Sequence, residues 1–250
     1  MSIFIFLSHI LKNKIGDCKM ENVTKVRYNN KLNDLENGTL SAVEQNLFFY
    51  ICARAREHGE NIIEISFDSI RERTEFSACG DASLIQALKK TNENIFKMPY
   101  EYVTDDNVII QGGLFSEFTI DPHKRTLSIK INKDLLFLLN NLNSNFDEWI
   151  LDEFVDIKSV YSKRIYRICK QWRSVGRTPI YKVDDFRKRL AIPNSYPNKL
   201  LIPRILEPAH KDLSKYFHDF QIKIHKGSGK GSPITGISFY FSPILYLKSD

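Results

Sequence analysis

Asp68-Ser69-Ile70-Arg71-Glu72-Arg73 and Asp184-Asp185-Phe186-Arg187-Lys188-Arg189 are two versions of one hexad, set 116 residues apart. Upstream of each, the same correspondence runs at a spacing of 117. Ile51-Cys52 matches Ile168-Cys169, Arg56 matches Arg173, and Gly59 matches Gly176. One gap in the segment between them reconciles the two spacings. A collinear pattern that recurs at a fixed period marks a duplicated structural unit.

Outward from the hexads, each copy predicts the same order of elements. In the first, Ser41 can cap the amide of Glu44 while Glu44 reaches back to the amide of Ser41. Val43, Leu47, Ile51 and Ala55 follow at four-residue spacing, and Gly59 ends the helix. Residues 61–67 alternate as a short strand, Asp68 caps a short helix through Arg73, and a third helix spans 82–91 with Leu84 and Leu88 inward. Residues 103–131 are β-rich and contain a hairpin around Asp121-Pro122-His123-Lys124. Asn132 then caps a leucine-rich helix over 133–141.

In the second copy Ser159 starts a helix, with Tyr161, Ile165, Ile168 and Trp172 on one face and Lys163, Arg167 and Lys170 on another. Gly176 ends it. A strand at 178–183, a short helix capped by Asp184 and a longer helix to about Phe217 follow. Strands at 220–225 and 234–241 close the copy. Helix, strand, helix, helix and hairpin is the winged-helix variant of the helix-turn-helix, whose last helix can enter a DNA major groove. The expected fold is therefore α+β: tandem winged-helix domains related by internal duplication, over 23–147 and 148–250, with a boundary in the asparagine-rich stretch 140–145. Residues 1–22 are expected to lie outside the core fold. Their apolar run imitates a secretory signal, but no basic residue precedes it and no small-residue cleavage site follows. Met20 is an alternative start.

Composition narrows the function. With 42% hydrophobic and 26% charged residues the chain can build packed cores. No apolar stretch reaches the ~20 residues of a spanning helix, so no membrane role is expected. Cys18, Cys52, Cys79 and Cys169 form no CxxC pair, which argues against a thiolate zinc cluster or a disulfide framework and for free thiols in a reducing cytoplasm. The net charge of +6 is unevenly placed: residues 1–147 carry 17 Lys and Arg against 20 Asp and Glu, residues 148–250 carry 19 against 10. Residues 158–248 alone hold 19 cations and 5 acids, a net of +14 that would attract phosphates.

Catalytic chemistry is not visible. Gly227-Ser228-Gly229-Lys230-Gly231-Ser232 imitates a phosphate-binding loop, but Ile224 stands where the first glycine should be and Gly231 follows the lysine in place of Ser or Thr. The loop also lies between two strands, so it is expected to be a flexible basic hairpin tip. His9, His58, His123, His210, His218 and His225 never fall at metal-ligand spacing. No enzyme activity, cofactor or metal is expected. A metal-dependent nicking enzyme is disfavoured because the required histidine pair is missing.

Leu40-Ser41-Ala42-Val43-Glu44 after Val26-Arg27-Tyr28-Asn29-Asn30-Lys31-Leu32, then 158–166 as Lys-Ser-Val-Tyr-Ser-Lys-Arg-Ile-Tyr, then Arg204-Ile205-Leu206-Glu207-Pro208-Ala209 and Gly236-Ile237-Ser238-Phe239-Tyr240-Phe241, resemble in this order the plasmid replication initiator proteins of the Rep_3, or RepB-like, family. The resemblance implies two winged-helix domains that bind double-stranded DNA at origin repeats called iterons and an operator inverted repeat. It also implies no enzymatic activity, recruitment of the host initiator and replicative helicase, and a homodimer in equilibrium with monomer. A transcriptional repressor of the same fold without an initiator role is the alternative.

Residue by residue, the resemblance places Ser159, Ser162, Lys163 and Arg164 near phosphates, with Tyr161 partly packed. It places a second recognition helix at about 198–215, with Ile205, Ala209 and Leu213 buried. Arg204 and Lys211 are then outward, and Ser195, Asn198 and Lys199 near base edges. Pro203 argues that this helix starts near residue 203, with Asn198 and Lys199 in a preceding loop. In the first domain, Ser83, Gln86, Lys89 and Lys90 are the expected DNA-facing residues. Lys226 and Lys230 are the expected backbone contacts of the wing.

Overall fold

The computed structural model describes residues 24–34, 40–74, 76, 80–97, 100–103, 106–143, 145–228 and 233–243. The expected N-terminal extension, Cys18, Cys79 and Lys230 lie outside the described residues.

The first half is built on helix α1, Ala42–Ala55. Its start is the reciprocal cap foreseen in the sequence. Ser41 Oγ accepts from the Glu44 amide at 3.3 Å, and Glu44 Oε2 accepts from the Ser41 amide at 2.6 Å. The single apolar stripe is corrected: Gln45, Asn46, Phe48, Phe49, Tyr50 and Cys52 are buried as well, because elements of both halves surround the helix. Strand β2, Ile63–Ser66, leads into α2, Phe67–Arg73. Ser66, and not Asp68, caps α2, accepting from the Ser69 amide at 3.2 Å. Helix α3, Asp81–Phe96, runs longer than its sequence reading. A short hairpin, β3 (Tyr100–Val103) with β4 (Ile109–Gly112), precedes the main one, β5 (Phe115–Asp121) with β6 (Thr126–Ile131). Asp121 Oδ1 ties the main turn by accepting from the amides of His123 and Lys124 at 2.9 and 3.0 Å. The sheet order is β2-β6-β5. Asn132 caps a 3-10 helix, Lys133–Leu138, shorter than the helix expected there.

After the asparagine-rich stretch, β7 (Phe146–Ile150) returns to pair antiparallel with β1 (Lys25–Asn29), setting Val26 opposite Trp149 and Tyr28 opposite Asp147. Alternation points Asp147 and Trp149 inward together. Helix α4, Leu151–Asp156, then leads to α5, Val160–Gln171, capped by Ser159. Strand β8 (Tyr181–Lys182), helix α6 (Val183–Arg189), a composite helix from Asn198 to Leu213, and strands β9 (Gln221–Lys226) and β10 (Ile234–Tyr240) complete the second half. Lys182 occupies the N-cap of α6, so Asp184 lies inside the first turn and is not the cap. The second sheet has the order β8-β10-β9, all antiparallel, which repeats β2-β6-β5 position for position.

Helix α5 forms the seam between the halves, and its charged face is the main departure from the sequence reading. Lys163, Arg164, Arg167 and Lys170 are all buried, as is Ser162. Lys163 Nζ donates to Asn46 Oδ1 at 2.7 Å and to the Phe154 carbonyl, and sits over the Phe154 ring. Arg164 donates to the Leu190 carbonyl; burial pushes its guanidinium down to about 10. Arg167 donates to Asn33 Oδ1 at 2.7 Å and lies over Phe49. Lys170 pairs with Glu153 at 2.9 Å. Around them Trp149 packs against Phe49 and Phe154, with ring centroids 5.2 and 4.6 Å away. Burying one such aromatic side chain is worth ~2–3 kcal/mol, which offsets much of the cost of holding cations beside them.

Candidate nucleic-acid interface

In the first half, α3 buries Leu84, Leu88, Thr91 and Ile95 and turns Ser83, Gln86, Lys89 and Lys90 to solvent. Ser83, Gln86 and Lys90 recur at three- and four-residue steps and share one outer face. Lys90 Nζ lies 3.8 Å from Glu44, the carboxylate that closes the α1 cap. The start of α3 is held by cations. Arg71 of α2 donates to Asp81 Oδ1, and Arg125 of the β5–β6 turn donates to Asp81 Oδ2 at 3.0 Å and to Asp68 at 2.7 Å. The bonds from Arg125 and then Arg71 hold the Asp81 carboxyl below its usual range. Turn, α2 and recognition helix are thereby joined at one point.

In the second half the composite helix begins at Asn198 with a 3-10 turn, Asn198–Leu200, continues through a π turn, Ile202–Leu206, and ends in α7, Glu207–Leu213. A start near Pro203 is therefore corrected. Pro203 is accommodated because it is the second residue of the π segment, which begins at Ile202 with Leu201 as its N-cap, and such a first-turn position needs no N–H. Leu201, Ile205, Leu206, Ala209 and Leu213 anchor the inner face. Asn198, Lys199, Arg204 and Lys211 are exposed on the helix, and Ser195 is exposed in the loop before it. That loop is fixed by Arg187 of α6. Its guanidinium donates to Asn198 Oδ1 at 2.7 Å and to the carbonyls of Pro193 and Tyr196 at 2.6 and 2.8 Å. Lys226, at the end of β9, is exposed at the base of the wing.

Four expected residues fall elsewhere. Ser159 caps α5, accepting from the Ser162 amide at 3.2 Å. Ser162, Lys163 and Arg164 are interior, so their placement near phosphates is corrected: Lys163 ties the halves together through Asn46, and Arg164 ties α5 to the Leu190 carbonyl within the second half. Arg187 is buried too, so five cations of the basic segment add nothing to its outer surface. Tyr161 is half-buried against the core. The contacts that organise the two recognition helices, Arg71, Arg125 and Arg187, were not singled out from the sequence as site residues, although two of them occupy the same place in the repeated hexad. Among the described residues, no group of three or more His, Cys, Asp or Glu could hold a metal ion, and no helix is long and apolar enough to cross a membrane.

The comparisons with known proteins agree with this architecture. The solved Pi initiator protein, whose structure is described as a complex with iteron DNA, is similar over 87% of this chain and 96% of its own, with a TM-score of 0.67 at 15% identity. That likeness concerns the fold. A probable replication protein rep of Bifidobacterium longum (strain NCC 2705) is 34% identical over 173 residues, 68% of this chain; the match spans 57% of that relative's length. Residues 25–170 match the family profile described as "Initiator Replication protein, WH1", and residues 182–241 match "Initiator Rep protein, WH2". With the larger match covering more than half of its length, the chain belongs to the initiator replication protein family.

Proposed function

We propose that the chain is a sequence-specific DNA-binding replication initiator that binds iteron repeats at a plasmid origin and acts by binding, without catalysis. The observation that carries this is the doubled recognition apparatus: each half presents a helix whose outer face is polar, beside a hairpin, on the same sheet order. Family membership and the fold shared with an initiator that was solved on iteron DNA support the choice of DNA as partner. The exposed Asn198, Lys199, Arg204 and Lys211 with Lys226 would supply most of the affinity. Ser83, Gln86, Lys89 and Lys90 would add selectivity, since Gln pairs well with adenine in the major groove. Recruitment of a host initiator and helicase, and a dimer in equilibrium with monomer, follow from the family resemblance. The test is footprinting of the purified chain on DNA flanking its coding region. Protection of tandem direct repeats is the expected result. Protection confined to a single operator in the gene's own promoter would favour a repressor, and no protection would refute DNA reading.

A further inference from the structure

Arg71 and Arg187 occupy the same position in the repeated hexad, 116 residues apart. Each lies in the helix before a recognition helix, α2 or α6. Each reaches forward to a residue at similar separation in sequence, 10 positions on in one half and 11 in the other. Each ends on a side-chain oxygen of the first residue of the recognition helix: Asp81 Oδ1 in one, Asn198 Oδ1 in the other. Neither helix has a side-chain cap of its own. The two connections differ in sequence throughout, 74–80 against 190–197, yet the arginine-to-first-residue bond is retained in both.

From this recurrence we infer that Arg71 and Arg187 are positioning residues for DNA reading, each fixing where its own recognition helix begins. The inference rests on the proposed DNA-binding function. A guanidinium presents donors in a rigid fork, so one residue can set both the azimuth and the axial start of a helix. Arg187 shows this most fully, holding Asn198 and two loop carbonyls together. Base readout depends on side-chain placement, whereas phosphate attraction tolerates displacement. Loss of a clamp therefore degrades selectivity in one half and leaves the general affinity for duplex DNA. Arg187, being buried, is not itself a DNA contact.

The experiment is selection of binding sites from a randomised duplex pool by the full chain, comparing wild type with Arg71→Met and Arg187→Met. Arg187→Lys serves as a milder variant that keeps the buried charge and removes the fork that holds Asn198 and the loop carbonyls together. The wild type should enrich one motif with two blocks of defined bases. Arg187→Met should blur one block and Arg71→Met the other, each with about a ten-fold loss of preference at the affected bases. Affinity for a scrambled duplex should stay within about two-fold, because phosphate contacts are sequence-independent. Arg187→Lys should blur the same block as Arg187→Met, to a smaller degree, so the inference is testable even if Arg187→Met fails to fold. Retention of both blocks in Arg71→Met and Arg187→Lys, or an equal loss across both blocks, overturns the inference alone. A wild-type chain that enriches no motif overturns the proposed function and the inference with it.

Discussion

Lys163 shows how far a residue's type can mislead about its place. Its ammonium is fully buried against Asn46 and the Phe154 carbonyl, 117 and 9 residues away in sequence. Removing one partner of a buried polar set leaves the others unsatisfied, so Lys163→Met should cost roughly 2–3 kcal/mol in urea unfolding. The salt dependence of DNA binding by the folded variant should not change. A log–log slope shallower by about one would return Lys163 to the phosphates. Asp147 makes the opposite case. Its carboxyl is buried on β7, accepts from Asn33 Nδ2 at 2.5 Å, and is pushed up to about 6 by desolvation. The folded state then binds a proton more tightly than the unfolded chain, whose aspartate titrates near 4. This contribution to stability is greatest below pH 4 and falls as pH rises to about 6. Asp147→Asn should remove roughly 2–3 kcal/mol of that pH dependence, so the gap between variant and wild type should widen in favour of the variant between pH 4 and 7. Parallel stability–pH curves for the two proteins would contradict it.

The elements themselves were largely legible. Ser41 with Glu44 announced a helix start and Ser159 a second. Gly59 and Gly176, expected to end those helices, lie four and five residues beyond their last residues, Ala55 and Gln171, in the turns that follow, where both adopt positive φ, 58° and 76°. What the local pattern could not show was which face turns inward. The Lys163, Arg167 and Lys170 stripe has the spacing of a solvated face, and only distant partners such as Asn46 and Asn33 make its burial tolerable. The helix across Pro203 was hidden for a similar reason: proline argues for a break, and the packing of Leu201, Ile205 and Leu206 overrides it. The two glycines also differ in a way that sequence cannot reveal. A Cβ at Gly59 meets nothing within 4 Å, whereas one at Gly176 comes within 2.7 Å of the Phe241 carbonyl oxygen and 2.8 Å of Pro243. Gly59→Ala should therefore cost about 1 kcal/mol, the backbone term alone. Gly176→Ala should cost about 3 kcal/mol, with overpacking added. Equal midpoint shifts in urea would show that the β10 end gives way freely.

At the scale of the whole molecule, the seam decides how the chain unfolds. Separating the halves would strand Lys163 and Arg167 from Asn46 and Asn33 and uncover Trp149 and Phe154. The two halves should therefore melt together, in one calorimetric transition whose measured enthalpy equals its van't Hoff enthalpy. Two resolved transitions would mean that the seam is weak. The fragment 148–250 is expected to fold poorly for the same reason, since it divides β7 and discards β1. Asn46 and Lys163 hold corresponding places in the duplication, at the 117-residue offset of Cys52 and Cys169, and they are bonded to each other. A residue touching its own counterpart is the contact that a two-fold relation between the halves would produce. The chain is in this sense a dimer that dilution cannot take apart. On the proposed function its two reading heads would carry different letters, the exposed Ser83 and Gln86 in one against Lys199, Arg204 and Lys211 in the other. A site shaped like a palindrome but spelled differently in each arm has a direction, so on that proposal copies of this protein would line up along DNA all facing the same way.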